Sequence, residues 1–171
     1  MIKNPHEGKF IVFEGLDGSG KSTQAEYLVK KLKQDAAKFH KTFEPTQYLI
    51  GGLIRSFLGN DWKSSADCLQ LLFAADRAYH LEKEIFPALE KKLIVVSDRY
   101  FFSSFAYGAL DCDFFEQIAK LEKVWQNYEK IISRFRIDTD IRVIDGDRPI
   151  QDIFEDVENI LAKKDKDGWK T

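Results

Sequence analysis

Lys9-Phe10-Ile11-Val12-Phe13-Glu14-Gly15-Leu16-Asp17-Gly18-Ser19-Gly20-Lys21-Ser22 changes character twice along its length. The apolar run through Phe13 reads as a strand buried on both faces, and Gly15 stops it. From Lys21 to about Lys33 the pattern turns helical, with Ala25, Leu28, Val29 and Leu32 at three- and four-residue steps. Between strand and helix, the glycines let the backbone curl so that successive N–H groups face one concavity, a nest for an anion. The helix that follows adds its positive end. Lys21 brings a mobile point charge to the same place and Ser22 a hydroxyl.

The spacing Gly15-x-x-x-x-Gly20-Lys21-Ser22 is the P-loop pattern in the strand–loop–helix setting its chemistry requires. It predicts that Gly15, Asp17, Gly18, Ser19, Gly20, Lys21, Ser22 and Thr23 surround the phosphates of a nucleoside triphosphate. Lys21 would reach the β- and γ-phosphates and Ser22 would reach Mg²⁺. A P-loop alone does not choose between a kinase, a GTPase and a motor.

Composition narrows the field without deciding it. A chain of 171 residues fits one domain, 1–171, with room for a core, and 14 Phe supply bulky material for it. The net charge of −2 gives no global field to recruit nucleic acid or an anionic membrane, so a bound anion must be held by local groups. Cys68 and Cys112 lack metal-ligand spacing and read as reduced thiols. No apolar run approaches a membrane span of about 20 residues, and Met1 to His6 carries no signal core. A cytoplasmic protein is expected. His6, His40 and His80 share no spacing that points to a metal site or a catalytic triad.

Further along, Lys38 to Phe43 is an extended stretch running into Glu44-Pro45, where the proline biases Glu44 towards extended backbone. Ile50 to Leu58 reads as a short helix. Ser65 to about Lys92 is helical, with Pro87 expected to open a second segment after a kink. Leu93 to Ser97 is a second buried strand, followed by an aromatic stretch from Tyr100 to Tyr107. Phe114 to about Phe135 is a strongly periodic helix, Ile141 to Asp145 a last strand, and Ile150 to about Lys164 an amphipathic helix. Strands alternating with helices predict an α/β fold around a central parallel sheet flanked by helices, the three-layer P-loop NTPase arrangement.

Five segments occur in an order that carries a resemblance. They are Phe10 to Gln24, Glu44-Pro45-Thr46, Leu72 to His80 (LFAADRAYH), Ser97-Asp98-Arg99-Tyr100, and Ser103 to Tyr107. Together they closely resemble the thymidylate kinase family, which transfers the γ-phosphoryl of ATP to dTMP; Val143 to Ile150 resembles its last strand and adenine-side loop more loosely. The resemblance implies a homodimer, with the helix carrying Leu69 to Leu81 at the contact. It also implies roles. Asp17 is similar to the carboxylate near the acceptor's 3′-hydroxyl, and Glu44 to the acid flanking the acceptor. Phe73 resembles the aromatic that stacks on thymine, and Arg77 the residue that hydrogen-bonds its carbonyl edge. Arg55 and Arg99 are similar to the pair gripping the dTMP phosphate, and Asp98, with Ser22, to the Mg²⁺ site. Ser104 and Tyr107 would line the base pocket. Lys21, Asp98 and Arg99 are the expected catalytic groups.

Two departures stand against that resemblance. Where relatives often carry Tyr-Gln after the serine pair, this chain has Tyr107-Gly108. Between Ala109 and Glu116, family members place another helix, a central strand and the start of a mobile lid; a segment of roughly 40 residues, about one βα unit with its loop, is lacking. That strand would lie between the first and last strands of this chain. Its loss should leave the first strand at an edge or pair it with Ile141 to Asp145. The lid is also where relatives without a P-loop arginine keep a catalytic one, and Arg134, Arg136 and Arg142 are not obvious substitutes. Three accounts stay open: the sequence joins two segments across an excised stretch, the chain carries a true deletion near 108–116, or Phe114 to Phe135 serves as both lid and packing helix. Alongside a dTMP kinase, two other functions remain: a nucleotide-binding protein without turnover, and a P-loop kinase for another monophosphate.

Overall fold

The computed structural model describes residues 7–108, 117–136 and 140–167. The junction at 109–116 therefore lies outside the described residues, and so does Cys112. Three five-residue strands, β1 (Lys9–Phe13), β2 (Phe39–Phe43) and β3 (Ile94–Asp98), form a parallel sheet in the order β1-β3-β2. β3 is central, and its Val95, Val96 and Ser97 are fully buried, which is why this segment reads as a near-continuous apolar run.

Register, more than packing, builds the site. Phe13, Phe43 and Asp98 lie level with one another at the carboxyl ends of the strands. The ladder continues one step further, because the Glu44 amide donates to the Asp98 carbonyl at 3.1 Å and the Arg99 amide to the Phe13 carbonyl at 2.9 Å. Glu14, Glu44 and Arg99 consequently leave the sheet side by side, at the end where open parallel sheets collect ligands.

α1 (Lys21–Gln34) and α7 (Ile150–Asp167) pack on one face, where Ala25, Leu28, Val29 and Leu32 meet Val96, Phe154 and Val157. On the other side α4 (Phe86–Glu90) buries Ala88 and Leu89 against Val95. α2 (Leu49–Leu58), α3 (Ala66–His80), α5 (Phe101–Gly108) and α6 (Gln117–Phe135) complete the chain. The Ser65 hydroxyl caps α3 by accepting from the Cys68 amide at 3.1 Å.

Two expectations change. Pro87 does open a second segment, α4, but the expected kink before it takes the form of a π turn at Leu81–Ile85, with the Phe86 amide reaching back to the Leu81 carbonyl. Proline has no N–H and crowds the carbonyl four residues earlier, and a widened turn just before it accommodates both. The second correction concerns Ile141 to Asp145, which forms no strand: residues 140–146 are irregular. Ile144 packs towards the α1 core and Ile141 towards α5 and α6, without joining the ladder. A strand is stable only beside a partner, and among the described residues none lies beside this segment. Among the described residues β1 forms an edge of the sheet.

Candidate active site

The P-loop follows β1 directly. Gly15, Gly18 and Gly20 adopt φ of 153°, 81° and 81°, values that side chains resist, so the loop conformation selects for glycine. Residues 17–20 and Ser22 are exposed, and Thr23 is half-buried. Lys21 lies back along the loop, donating to the Leu16 carbonyl at 3.2 Å and standing 3.6 Å from Asp17 Oδ1. Burial first, and the nearby Arg99 guanidinium second, hold the Lys21 ammonium below its ordinary value. Two cations thus converge on a loop shaped for an anion.

Arg99 closes the loop from the β3 side. Its backbone is left-handed, φ 71°, a conformation uncommon outside glycine. Its guanidinium donates to the Asp17 carboxylate, to Ser103 Oγ at 2.8 Å and to the Gly15 carbonyl at 3.4 Å. It also lies over the Tyr107 ring, 5.4 Å from the centroid. The Tyr107 hydroxyl accepts from the Asp17 amide at 3.1 Å. Asp17, Arg99 and Tyr107 therefore meet in one cluster.

Across β3 stands a second cluster. Arg77 donates through Nε and a terminal nitrogen to Glu44 Oε2, at 2.9 and 2.7 Å, and also to Ser104 Oγ at 2.6 Å. The Glu44 side chain is 4% exposed and that of Arg77 16%, so this charged pair is largely desolvated. Phe73, half-buried, sits one turn before Arg77 on the same helix. Arg55 is exposed and donates to the carbonyls of Pro45 and Thr46, beside an open recess lined with Phe43 and Gln47.

Several residues that organise these clusters were passed over in the sequence. Asp76 is 1% exposed and accepts from the Thr46 amide at 2.8 Å and the Thr46 hydroxyl at 2.6 Å, pinning the Glu44-Pro45-Thr46 loop. His80 bridges Glu44 and Thr42. Asp76, His80 and Glu84 recur at four-residue steps, and that polar stripe on an apolar helix was the available signal. The same loop lies so close to α2 that a Cβ on Gly51 would fall 2.0 Å from the Thr46 carbonyl oxygen. Gly51→Ala should therefore cost about 1–3 kcal/mol by overpacking and displace the loop; urea denaturation and dTMP titration of the variant would read both effects.

Glu14 is the other residue missed, since it looks like the end of a strand. Its Oε1 accepts the amides of Tyr100 and Ser103, at 2.9 and 3.2 Å, at the start of α5. Its Oε2 accepts the Ser103 and Tyr128 hydroxyls. Burial pushes its pKa above the ordinary 4.5, against the pull of those hydrogen bonds. A raised carboxyl pKa gives stability that is complete below the unfolded value and lost as pH rises through the folded one. Glu14→Gln should accordingly show a smaller fall in Tm than the parent chain as pH rises above the ordinary carboxylate range, a difference that paired melting curves would measure.

Asp98, at the end of β3, has a buried Oδ1 with no hydrogen-bond partner, and it lies close enough to contribute to the field at Lys21. Among the described residues no three acids, histidines or cysteines cluster to cage an ion. A hard cation held by one carboxylate together with substrate phosphates fits this arrangement, and that is how Mg²⁺ usually binds. Arg134 lies on α6 beside Gln126, Glu129 and Lys130, while Arg142 donates to Asp140 and Arg148 to Asp156.

Comparison with known proteins adds to this geometry. A family model described as thymidylate kinase matches residues 13–114 and stops within the stretch where the sequence departs. The chain is 32% identical to a "Probable thymidylate kinase" of Thermococcus gammatolerans, an alignment covering 92% of this chain and 97% of the relative. That alignment spans 205 positions against a chain of 171 residues, so the relative carries residues that this chain lacks. A "Probable thymidylate kinase" of Methanocaldococcus jannaschii is 36% identical, covering 94% of this chain and 80% of the relative. The crystal structure of thymidylate kinase from Ehrlichia chaffeensis shares the fold, with a TM-score of 0.75 at 24% identity, covering 91% of this chain and 98% of that one. A phosphate loop of this form, an acid–arginine cluster beside it and a family match over more than half the chain agree: the chain belongs to the thymidylate kinase family.

Proposed function

We propose that the protein transfers the γ-phosphoryl group of ATP to dTMP, giving ADP and dTDP. The observation that carries the reading is the placement of two charged clusters at adjoining ends of parallel strands. Asp17, Lys21 and Arg99 gather at the P-loop, and Glu44, Arg77 and Ser104 gather one strand away. Phosphoryl transfer consists mostly of bringing two anions together and stabilising the charge between them.

In this reading Gly15 to Thr23 hold the ATP phosphates, and Lys21 neutralises the transferring group. Mg²⁺, held by Ser22 and Asp98, would polarise the phosphate oxygens. Arg99 exchanges its contact with Asp17 for the acceptor phosphate, assisted by Arg55; planar guanidinium groups suit a phosphate's oxygens. Asp17, freed from Arg99, faces the acceptor sugar. Phe73 stacks on the base, Arg77 bonds its carbonyl edge from a position fixed by Glu44, and Ser104 and Tyr107 complete the pocket. The apolar residues left exposed on α3, with Leu71 at 72%, support a homodimer formed through that helix.

A panel of monophosphates at fixed ATP and Mg²⁺, with the diphosphate products separated by chromatography, tests the substrate. dTMP should exceed dCMP, dAMP and dGMP by ~10² or more in kcat/KM, because buried polar groups matched to one base are left unpaired by another. Preference for any of those three would overturn the assignment.

A further inference from the structure

His80 is 0% exposed and belongs to no role assigned above. Its Nδ1 stands 3.1 Å from Glu44 Oε1, and its Nε2 stands 2.6 Å from the Thr42 hydroxyl. An ionised carboxylate only accepts, so Nδ1 must carry the proton of that first contact. Glu44 divides its two oxygens, with Oε1 for His80 and Oε2 for both Arg77 nitrogens. The carboxylate is buried, and its orientation sets the direction in which Arg77 presents its guanidinium to Ser104 and the pocket. The Thr42 hydroxyl also stands 2.9 Å from Glu84 Oε2, an oxygen that meets His40 Nε2 at 2.8 Å. The series runs from the π turn through β2 and α3 to the base side of the site.

We infer that His80 is a positioning residue for the acceptor nucleotide, acting through its Nδ1 proton on Glu44 and thereby on Arg77. This rests on the reading that Arg77 faces the acceptor base. Without the Nδ1 donor, Glu44 Oε1 is left buried and unpaired; the carboxylate then rotates and Arg77 loses its fixed aim. The effect falls on the acceptor and spares ATP, whose loop lies on the other side of β3.

Two substitutions separate the ring nitrogens. An asparagine amide nitrogen can take the place of Nδ1, and a glutamine amide nitrogen that of Nε2. His80→Gln is expected to raise KM for dTMP about 10-fold, the scale of one hydrogen bond to a buried charge, with KM for ATP unchanged. His80→Asn is expected to bring KM for dTMP back to within about threefold of the parent value. Equal effects of the two variants, or a rise shared by both substrates, would overturn the inference. A readout on the unsubstituted protein does not depend on turnover: the imidazole ¹⁵N–¹H spectrum should show a slowly exchanging proton on His80 Nδ1. Its absence would contradict the positioning role, whereas failure of dTMP turnover with that proton present would count against the proposed function and leave the Glu44 contact standing.

Discussion

Lys21→Ala will lower dTMP-dependent ADP release by at least ~10²–10³, the usual cost of removing one preorganised group from developing charge. The same substitution will leave Tm unchanged or slightly higher. The second expectation distinguishes the account from a merely structural lysine. The folded chain holds the Lys21 ammonium below its ordinary value through burial and the proximity of Arg99. That environment disfavours the charge until an anion arrives, so deleting the charge relieves the fold while disabling the site. Steady-state assays and melting curves on one preparation check both halves. A variant that loses activity and melts much earlier would mean that Lys21 acts mainly in the fold.

Arg77→Ala will be the most destabilising of the site substitutions, by about 3 kcal/mol, because it strands a carboxylate that the fold has already removed from water. Glu44 keeps His80 as a partner but loses both guanidinium contacts. Binding of dTMP should be lost with it, since Arg77 also reaches Ser104 and lies over the Tyr100 ring. The diagnostic result is non-additivity. Glu44→Gln in the Arg77→Ala background should restore part of the stability, because the stranded group is then neutral. Urea melts of the two single variants and the double would show the coupling, and calorimetric titration would show the loss of dTMP binding. Additive single effects would mean that the two side chains act independently.

Much of this site could be read along the chain. The glycines at 15, 18 and 20 announce their loop because few other residues tolerate such backbone. Asp98 and Arg99 follow an apolar run that had to be a central strand. Groups that meet only through tertiary pairing were harder to see. Glu14, Glu44 and Arg99 are aligned by strand register, which sequence periodicity does not report. His80 was weighed against metal and triad spacings, whereas its partner is a carboxylate 36 positions away. Ile141 to Asp145 has the composition of a strand but lies in irregular backbone, because a strand is stable only beside a partner and composition says nothing about the neighbour. The departure near 108–116 lies outside the described residues; the 205-position alignment to the Thermococcus relative shows that the relative carries residues this chain lacks, without placing them.

Arg99 is the described arginine that hydrogen-bonds the P-loop, so the proposed transfer rests on Lys21 and Arg99 as the groups that stabilise the transferring charge. The direct test is a coupled ADP-release assay on the 171-residue protein with ATP, Mg²⁺ and dTMP, the product identified as dTDP. The account predicts ADP release that requires dTMP. No dTMP-dependent release, with dTMP still raising Tm, would contradict it and leave a binding site without transfer.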